Sequence, residues 1–177
     1  ERLEHLATID PLTGIKNRRS MDQELDLAAA NAERTGLPYA LVLLDIDHFK
    51  RINDEHGHGV GDDVLTDLVA LLKQNTRKSD QLFRYGGEEF VLLLPGVDGI
   101  GLKAVMNNLQ QVLRKYMKHP GGAVTASFGV ALLRHGERVD SWLARADAAL
   151  YEAKETGRDR IVFADLHEAP EPAVDAV

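Results

Sequence analysis

The chain contains no cysteine. That absence excludes disulfides and thiol catalysis and is compatible with a reducing compartment. It has no apolar run long enough to span a bilayer and no signal-peptide pattern, so no membrane contact by this domain and a cytoplasmic location are expected, although a full-length protein could still be anchored. It has no excess of positive charge. Lysine and arginine total 21 against 28 aspartates and glutamates, a net charge of −7, which argues against a nucleic-acid-coating role. An anionic substrate would need local cations or metal to offset that charge. There are no internal repeats. The glycine-rich stretch Gly57 to Gly61 lacks the Gly-Lys-Ser/Thr ending of a P-loop, and no ligand set with zinc spacing follows His56 and His58.

The 177 residues, 44% of them hydrophobic, suffice for one domain with a substantial core. Apolar spacing predicts a helix over 18–35, with Met21, Leu25 and Ala28 on one face, and a strand over 39–46. A helical segment at 49–55 and a helix at about 62–76 follow. A helix near 101–118 carries Leu102, Val105, Leu109, Val112, Leu113 and Tyr116. Val124 to Val130 alternate as a strand. A helix near 140–155 buries Leu143, Ala146 and Leu150, with Gly157 as its C-cap, and Ile161 to Phe163 form a last strand. This order predicts an α+β fold, a mostly antiparallel sheet flanked by helices. Glu1 to Ala7 read as the end of a helix from a longer protein. The tail after Asp165, with Pro170 and Pro172, is expected to be disordered.

The most informative segment is Arg84-Tyr85-Gly86-Gly87-Glu88-Glu89-Phe90. Apolar residues flank it on both sides, so it predicts a hairpin in which Gly86 and Gly87 take positive φ angles in a two-residue turn. Without Cβ atoms, the two glycines also let a large ligand lie against the backbone. A plain hairpin has no need of two adjacent carboxylates, and their presence suggests a ligand and a cation. Glu88 and Glu89 can face opposite ways and serve different ends.

A second acidic cluster ends the 39–46 strand, whose unbroken apolar run suits a position covered on both faces. Asp45, together with Glu88 or Glu89, would make an all-oxygen site for a hard cation such as Mg²⁺. The structural alternative is that Asp45 and Asp47 are polar loop residues capping the next helix. In the segment from Phe49 to Asp62, an Asn and an Asp can together read a guanine edge, the amide donating and the carboxylate accepting. Asp62 could instead, or also, cap the helix that carries Val64, Leu65 and Leu68.

These residues together resemble the GGDEF-type diguanylate cyclase domain, in the variant with Glu at the third signature position. The resemblance runs from Asp10 to about Phe163. It rests on Asp10-Pro11-Leu12-Thr13-Gly14, Asp45-Ile46-Asp47-His48-Phe49-Lys50, Asn53-Asp54, Gly57-His58, Gly86 to Phe90, and Lys154 with Arg158. At Ile15 the family usually has Leu. The resemblance implies a palm-like nucleotidyl cyclase fold that places Asp45 and the hairpin on neighbouring strands. It implies condensation of two GTP molecules into cyclic di-GMP with two Mg²⁺ ions per site, Mn²⁺ being a possible substitute.

By the same resemblance, Asp45, the Ile46 carbonyl and Glu89 hold metal. Glu88 is the general base or a further metal-linked group. Lys50 stabilises charge on the transferring phosphate, and Lys154 and Arg158 clamp the terminal phosphates. Asn53, His58 and Asp62 contact guanosine, with Phe49, Gly86 and Gly87 also lining the substrate. Arg77 and Asp80, an Arg-x-x-Asp just upstream of the signature, mark an inhibitory product site. Two domains must face each other, so a transient or regulated homodimer is expected, under an upstream sensory region. The alternative is a catalytically weak domain that serves as a cyclic di-GMP receptor.

Overall fold

The structure is a computed structural model and describes residues 7–164. Residues 1–6 of the upstream helix expected over Glu1 to Ala7, and the expected disordered tail, lie outside the described residues. Ala7 and Thr8 form a turn, and Ile9 makes an isolated bridge with Lys16.

The elements in chain order are β1 (Lys16–Asn17), α1 (Arg18–Thr35), β2 (Tyr39–Ile46), α2 (Phe49–His56), α3 (His58–Gln74), β3 (Gln81–Arg84) and β4 (Glu89–Pro95). They continue with α4 (Gly99–Tyr116), β5 (Lys118–His119), β6 (Gly122–Ala123), β7 (Ala126–Leu132), α5 (Val139–Glu155) and β8 (Ile161–Phe163). Six strands form one sheet in the order β1-β3-β4-β2-β7-β8. Its inner pairs are antiparallel, and β1 and β8 join the edges in parallel.

Strand β2 lies inside this sheet and is buried along its whole length, which explains its unbroken apolar run. Its even-numbered residues, Ala40, Val42 and Leu44, pack with α2, α3 and α4 through Ile52, Leu68, Met106 and Leu109. Its odd-numbered residues, Leu41 and Leu43, pack with Met21 and Leu25 of α1 and Trp142 and Leu150 of α5. The result is a three-layer α/β/α sandwich, the expected mixed fold.

Local chemistry sets the helix ends. The Asn17 side chain caps α1 by accepting the Ser20 N–H at 3.1 Å, and Gly36 ends it at φ 75°. Helix α3 begins at His58, four residues before the expected start at 62, because Gly57 (φ 88°) turns the chain straight from α2 into α3. Asp62 is therefore inside a helix and does not cap it. Helix α5 ends at Glu155 with Thr156 as C-cap, and Gly157 follows at φ 129°. On α4, Tyr116 is 58% exposed with the Lys115 ammonium over its ring, and Met106 takes the buried position. The largest core residue of α5 is Trp142, whose indole N–H donates to the Ala131 carbonyl.

Gly129 in β7 fixes how close α5 lies. A Cβ there would meet the Ala146 carbonyl oxygen at 2.2 Å and the Leu150 nitrogen at 2.3 Å. Only glycine lets the helix backbone rest on the strand, and this brings the C-terminal end of α5 beside the end of β2.

Candidate active site

Five chain segments meet at one end of the sheet: the C-terminal end of β2, the N-terminal end of β4, the start of α2, the start of β7 and the C-terminal end of α5. Asp45 is the direct cross-strand partner of Glu89, so their side chains share one face. Glu88 precedes β4 in the loop, and its carbonyl accepts the Ile46 N–H at 3.3 Å. The hairpin is thus laced to the end of β2.

The hairpin turn differs from the expectation. Strands β3 and β4 are separated by four residues, Tyr85 to Glu88, and neither Gly86 nor Gly87 has a positive φ. The N–H groups of Tyr85 and Gly86 both donate to the Glu89 carbonyl, which closes the loop without left-handed residues. The value of glycine here is space. A Cβ on Gly87 would meet nothing within 4 Å, so its backbone is open to an incoming ligand.

Electrostatics single out the same cluster. Burial raises the carboxyl of Glu88 above its ordinary value, and the charges of Asp45 and Glu89 raise it further. Burial and then Asp45 raise Glu89 as well. Asp45 is 4% exposed. Burial raises it too, against the pull of Lys154, which donates a hydrogen bond to its Oδ2. Three carboxylates with one half-buried ammonium against them leave the cluster short of positive charge. The donors are all oxygen and suit a hard divalent cation that takes few protein carboxylates and completes its shell with water and phosphate. Among the described residues, no three His, Cys, Asp or Glu side chains group tightly enough to hold a metal by themselves.

Arg158 lies past the end of α5 at φ 61° and is exposed, with its guanidinium 3.4 Å from the Lys154 carbonyl. Lys50 is exposed in the first turn of α2, beside the buried Phe49. No side chain caps the start of that helix. Asn53 of α2 packs on Gly61 of α3, so close that a Cβ on Gly61 would lie 1.8 Å from its Oδ1. This oxygen is buried with no partner. Asp62 follows Gly61 and is exposed, as is His58 at the first position of α3. Asn53 thus packs against α3 one residue before Asp62.

A family model described as the diguanylate cyclase, GGDEF domain matches residues 7–160. The chain belongs to the GGDEF family. It is 39% identical over 161 residues to diguanylate cyclase DgcP of Pseudomonas aeruginosa, a match that covers 89% of this chain and 24% of that protein. It is also 39% identical over 162 residues to diguanylate cyclase DgcZ of Escherichia coli, covering 90% of this chain and 54% of the relative. The chain thus spans about a quarter to about half the length of these relatives. The crystal structure of the GGDEF domain of DgcB from Caulobacter crescentus, in complex with c-di-GMP, superposes with a TM-score of 0.85 at 37% identity, covering 90% of this chain and 96% of that one.

The GGDEF signature is held from beneath by Arg84, for which the sequence reading found no role. Its guanidinium donates to the carbonyls of Gly86 (3.2 Å) and Gly87 (2.9 Å) and to both oxygens of Asp10 (3.1 Å). Burial raises the Asp10 carboxyl, but the Thr13 hydroxyl and N–H, with Arg84, hold it below its ordinary value. The signature is thereby tied to the first described loop of the domain. The only hint in the sequence was adjacency, since Arg84 stands two residues before Gly86.

Arg77 and Asp80 lie apart from this cluster and bind each other. Asp80 accepts the Arg77 backbone N–H at 2.7 Å and its guanidinium at 2.8 Å, and Arg77 also donates to the Pro95 carbonyl. Both line a cleft of about 710 Å³ beside Lys16, Lys73 and Lys78. Among the described residues, no helix is long and apolar enough to cross a membrane.

Proposed function

We propose that this domain condenses two GTP molecules into cyclic di-GMP and releases two pyrophosphates. The observation that carries the reading is the meeting of Asp45, Glu88, Glu89 and Lys154 at one sheet end. The names of the relatives point the same way. In each half-reaction a 3′-hydroxyl attacks the α-phosphate of the other GTP. A new phosphorus–oxygen bond forms, the bond to pyrophosphate breaks, and the hydroxyl proton must be taken up.

Glu88 takes that proton. Its carboxyl, pushed up by burial and by Asp45 and Glu89, is a stronger base than an exposed glutamate. Asp45, the Ile46 carbonyl and Glu89 would hold Mg²⁺, two ions per site, with Mn²⁺ as a substitute. When bound, the metal polarises the phosphates and offsets the charge of the leaving group. Lys154 and Arg158 clamp the terminal phosphates, which draw Lys154 from Asp45. Lys50 offsets charge on the transferring phosphate. Asn53 donates to the guanine edge and Asp62 accepts from it, with His58 and Phe49 alongside, and the open backbone of Gly86-Gly87 lets the nucleotide approach.

One domain holds one GTP, so the site is complete only when two copies face each other about a two-fold axis. An upstream region that pairs the domains would raise their effective concentration. Product inhibition is assigned to Arg77 and Asp80, whose cleft has the cations a cyclic dinucleotide needs. A pure receptor role is less well supported, because Gly86, Gly87, Glu88, Glu89 and Asp45 are all present. Titration calorimetry with Mg²⁺ and the α,β-methylene analogues of GTP and ATP tests the reading. The guanine analogue is expected to bind at least about tenfold tighter. Equal affinities would remove the base-reading assignment.

A further inference from the structure

Two consecutive non-glycine residues, Arg158 and Asp159, lie in the left-handed region at φ 61° and 47°, directly after Gly157 at φ 129°. Such backbone is costly for residues with a Cβ and persists only where the surroundings hold it. Asp159 is held through every polar group of its backbone. Its N–H donates to Asp47 Oδ2 at 2.9 Å. Its carbonyl accepts from Gln110 at 3.2 Å and from Arg114 at 3.0 Å, both on α4. Arg114 also donates to its carboxylate at 3.0 Å.

Asp47 is 6% exposed and its acceptors are committed. Oδ1 accepts the Ser127 hydroxyl at 2.6 Å. Oδ2 accepts the Thr125 hydroxyl at 2.7 Å as well as the Asp159 N–H. Across the sheet, Asp45 lies between Glu89 on β4 and Ser127 on β7. Asp47 hydrogen-bonds on the β7 side, away from Glu89. It partners neither Lys154, which donates to Asp45, nor Arg158, which donates to the Lys154 carbonyl. The second aspartate of Asp45-Ile46-Asp47 thus bonds two hydroxyls and the amide of a left-handed residue through both of its oxygens.

We propose that Asp47 is a positioning residue. It locks the left-handed turn at Arg158–Asp159, so that Arg158 and the end of α5 face the triphosphate, and it acts through hydrogen-bond acceptance and not as a metal ligand. The proposal rests on the phosphate-clamp reading of Lys154 and Arg158. It separates Asp47 from Asp45 two residues away. An asparagine at 47 can keep the bonds, with its oxygen toward Asp159 and Thr125 and its amide donating to the Ser127 hydroxyl, which can rotate to accept. An alanine cannot.

The test compares the parent with Asp47→Asn, Asp47→Ala and Arg114→Ala. Exchange of the Asp159 amide is read by NMR without nucleotide. Affinities for the α,β-methylene analogue of GTP and for guanosine are read with Mg²⁺. Asp47→Ala is expected to lose protection at Asp159 and to weaken the analogue about tenfold, the worth of one charge-assisted hydrogen bond, with guanosine unchanged. Asp47→Asn is expected to keep both within about twofold. Arg114→Ala, which loosens the same turn from the surface, is expected to move both readouts in the same direction, and it carries the test if Asp47→Ala does not fold. An Asp47→Asn variant that loses analogue affinity while Asp159 stays protected overturns the proposal, as does an Asp47→Ala variant unchanged in both. If the parent binds neither guanosine nor the analogue, the GTP reading fails, and the exchange data still decide whether Asp47 holds the turn.

Discussion

Lys154 donates a hydrogen bond to Asp45 across 109 residues of sequence, joining the end of α5 to the end of β2 at the centre of the candidate site. The ammonium supplies positive charge to a carboxylate that the proposed chemistry assigns to a cation. Replacing Lys154 with Met leaves a buried carboxylate unpaired. Without metal the variant is expected to lose about 1–2 kcal/mol, less than for a fully buried pair because Lys154 is partly exposed. Added Mg²⁺ should then raise the melting temperature of Lys154→Met by more than that of the parent. Equal gains would show that ammonium and metal do not share Asp45.

The pH dependence has two opposing parts. Glu88 and Glu89 are held above their ordinary value of 4.5, and Asp45 above 3.8. A carboxyl raised on folding binds its proton more tightly in the folded state. Its contribution therefore falls as pH climbs from the ordinary value through the raised one. Asp10 and Glu137 are lowered despite burial, Glu137 by Arg145, the Arg134 N–H and Ser141. Their contribution is present above the ordinary values and is lost as pH falls through the lowered ones. Glu89→Gln is accordingly expected to melt roughly 1–3 °C higher than the parent at neutral pH without metal. That gain should shrink as pH approaches the ordinary glutamate value. A gain independent of pH would contradict the assignment.

Gly61 sets the position of Asn53. An alanine there would place its Cβ 1.8 Å from Asn53 Oδ1 and 3.2 Å from Phe49 Cζ. The Asn53 side chain can swing away, and alanine favours the helix by about 1 kcal/mol over glycine. Gly61→Ala is expected to stay folded, with KM for GTP raised about tenfold or more as the base reader is displaced. Steady-state kinetics with unchanged KM would remove Asn53 from the base contacts.

Arg77→Ala is expected to raise turnover late in the reaction by weakening product inhibition about tenfold or more. The turn itself should survive, because Asp80 still accepts the backbone N–H of residue 77. Inhibition by added cyclic di-GMP, measured with unchanged potency in the variant, would refute the site.

Strand β2 and helix α1 were legible to the residue, because continuous burial and an i, i+3, i+4 face leave plain patterns in the sequence. Two-residue strands leave none, and β1, β5 and β6 were not anticipated. Helix α3 starts four residues before the position its apolar spacing predicts, because Gly57 serves two helices at once. Of the two features the Gly-Gly pair predicts, positive φ is absent, because the four-residue loop closes on the Glu89 carbonyl, while open backbone is present at Gly87. The acidic cluster and the cations were legible by type and order. Their pairings were not: Lys154 with Asp45, Arg84 with Asp10, and Asp47 with Asp159 join residues 74 to 112 apart. Such contacts exist only once the sheet is assembled.

The most direct test is synthesis itself. The domain, stripped of bound product with a phosphodiesterase, is incubated at high concentration with GTP and Mg²⁺ beside a Glu88→Ala, Glu89→Ala double variant, and the nucleotides are resolved by chromatography. The account predicts cyclic di-GMP and pyrophosphate from the parent and neither from the variant. No product from the stripped parent, even when a dimerising helix pairs two copies, would contradict it and leave the receptor role as the better reading.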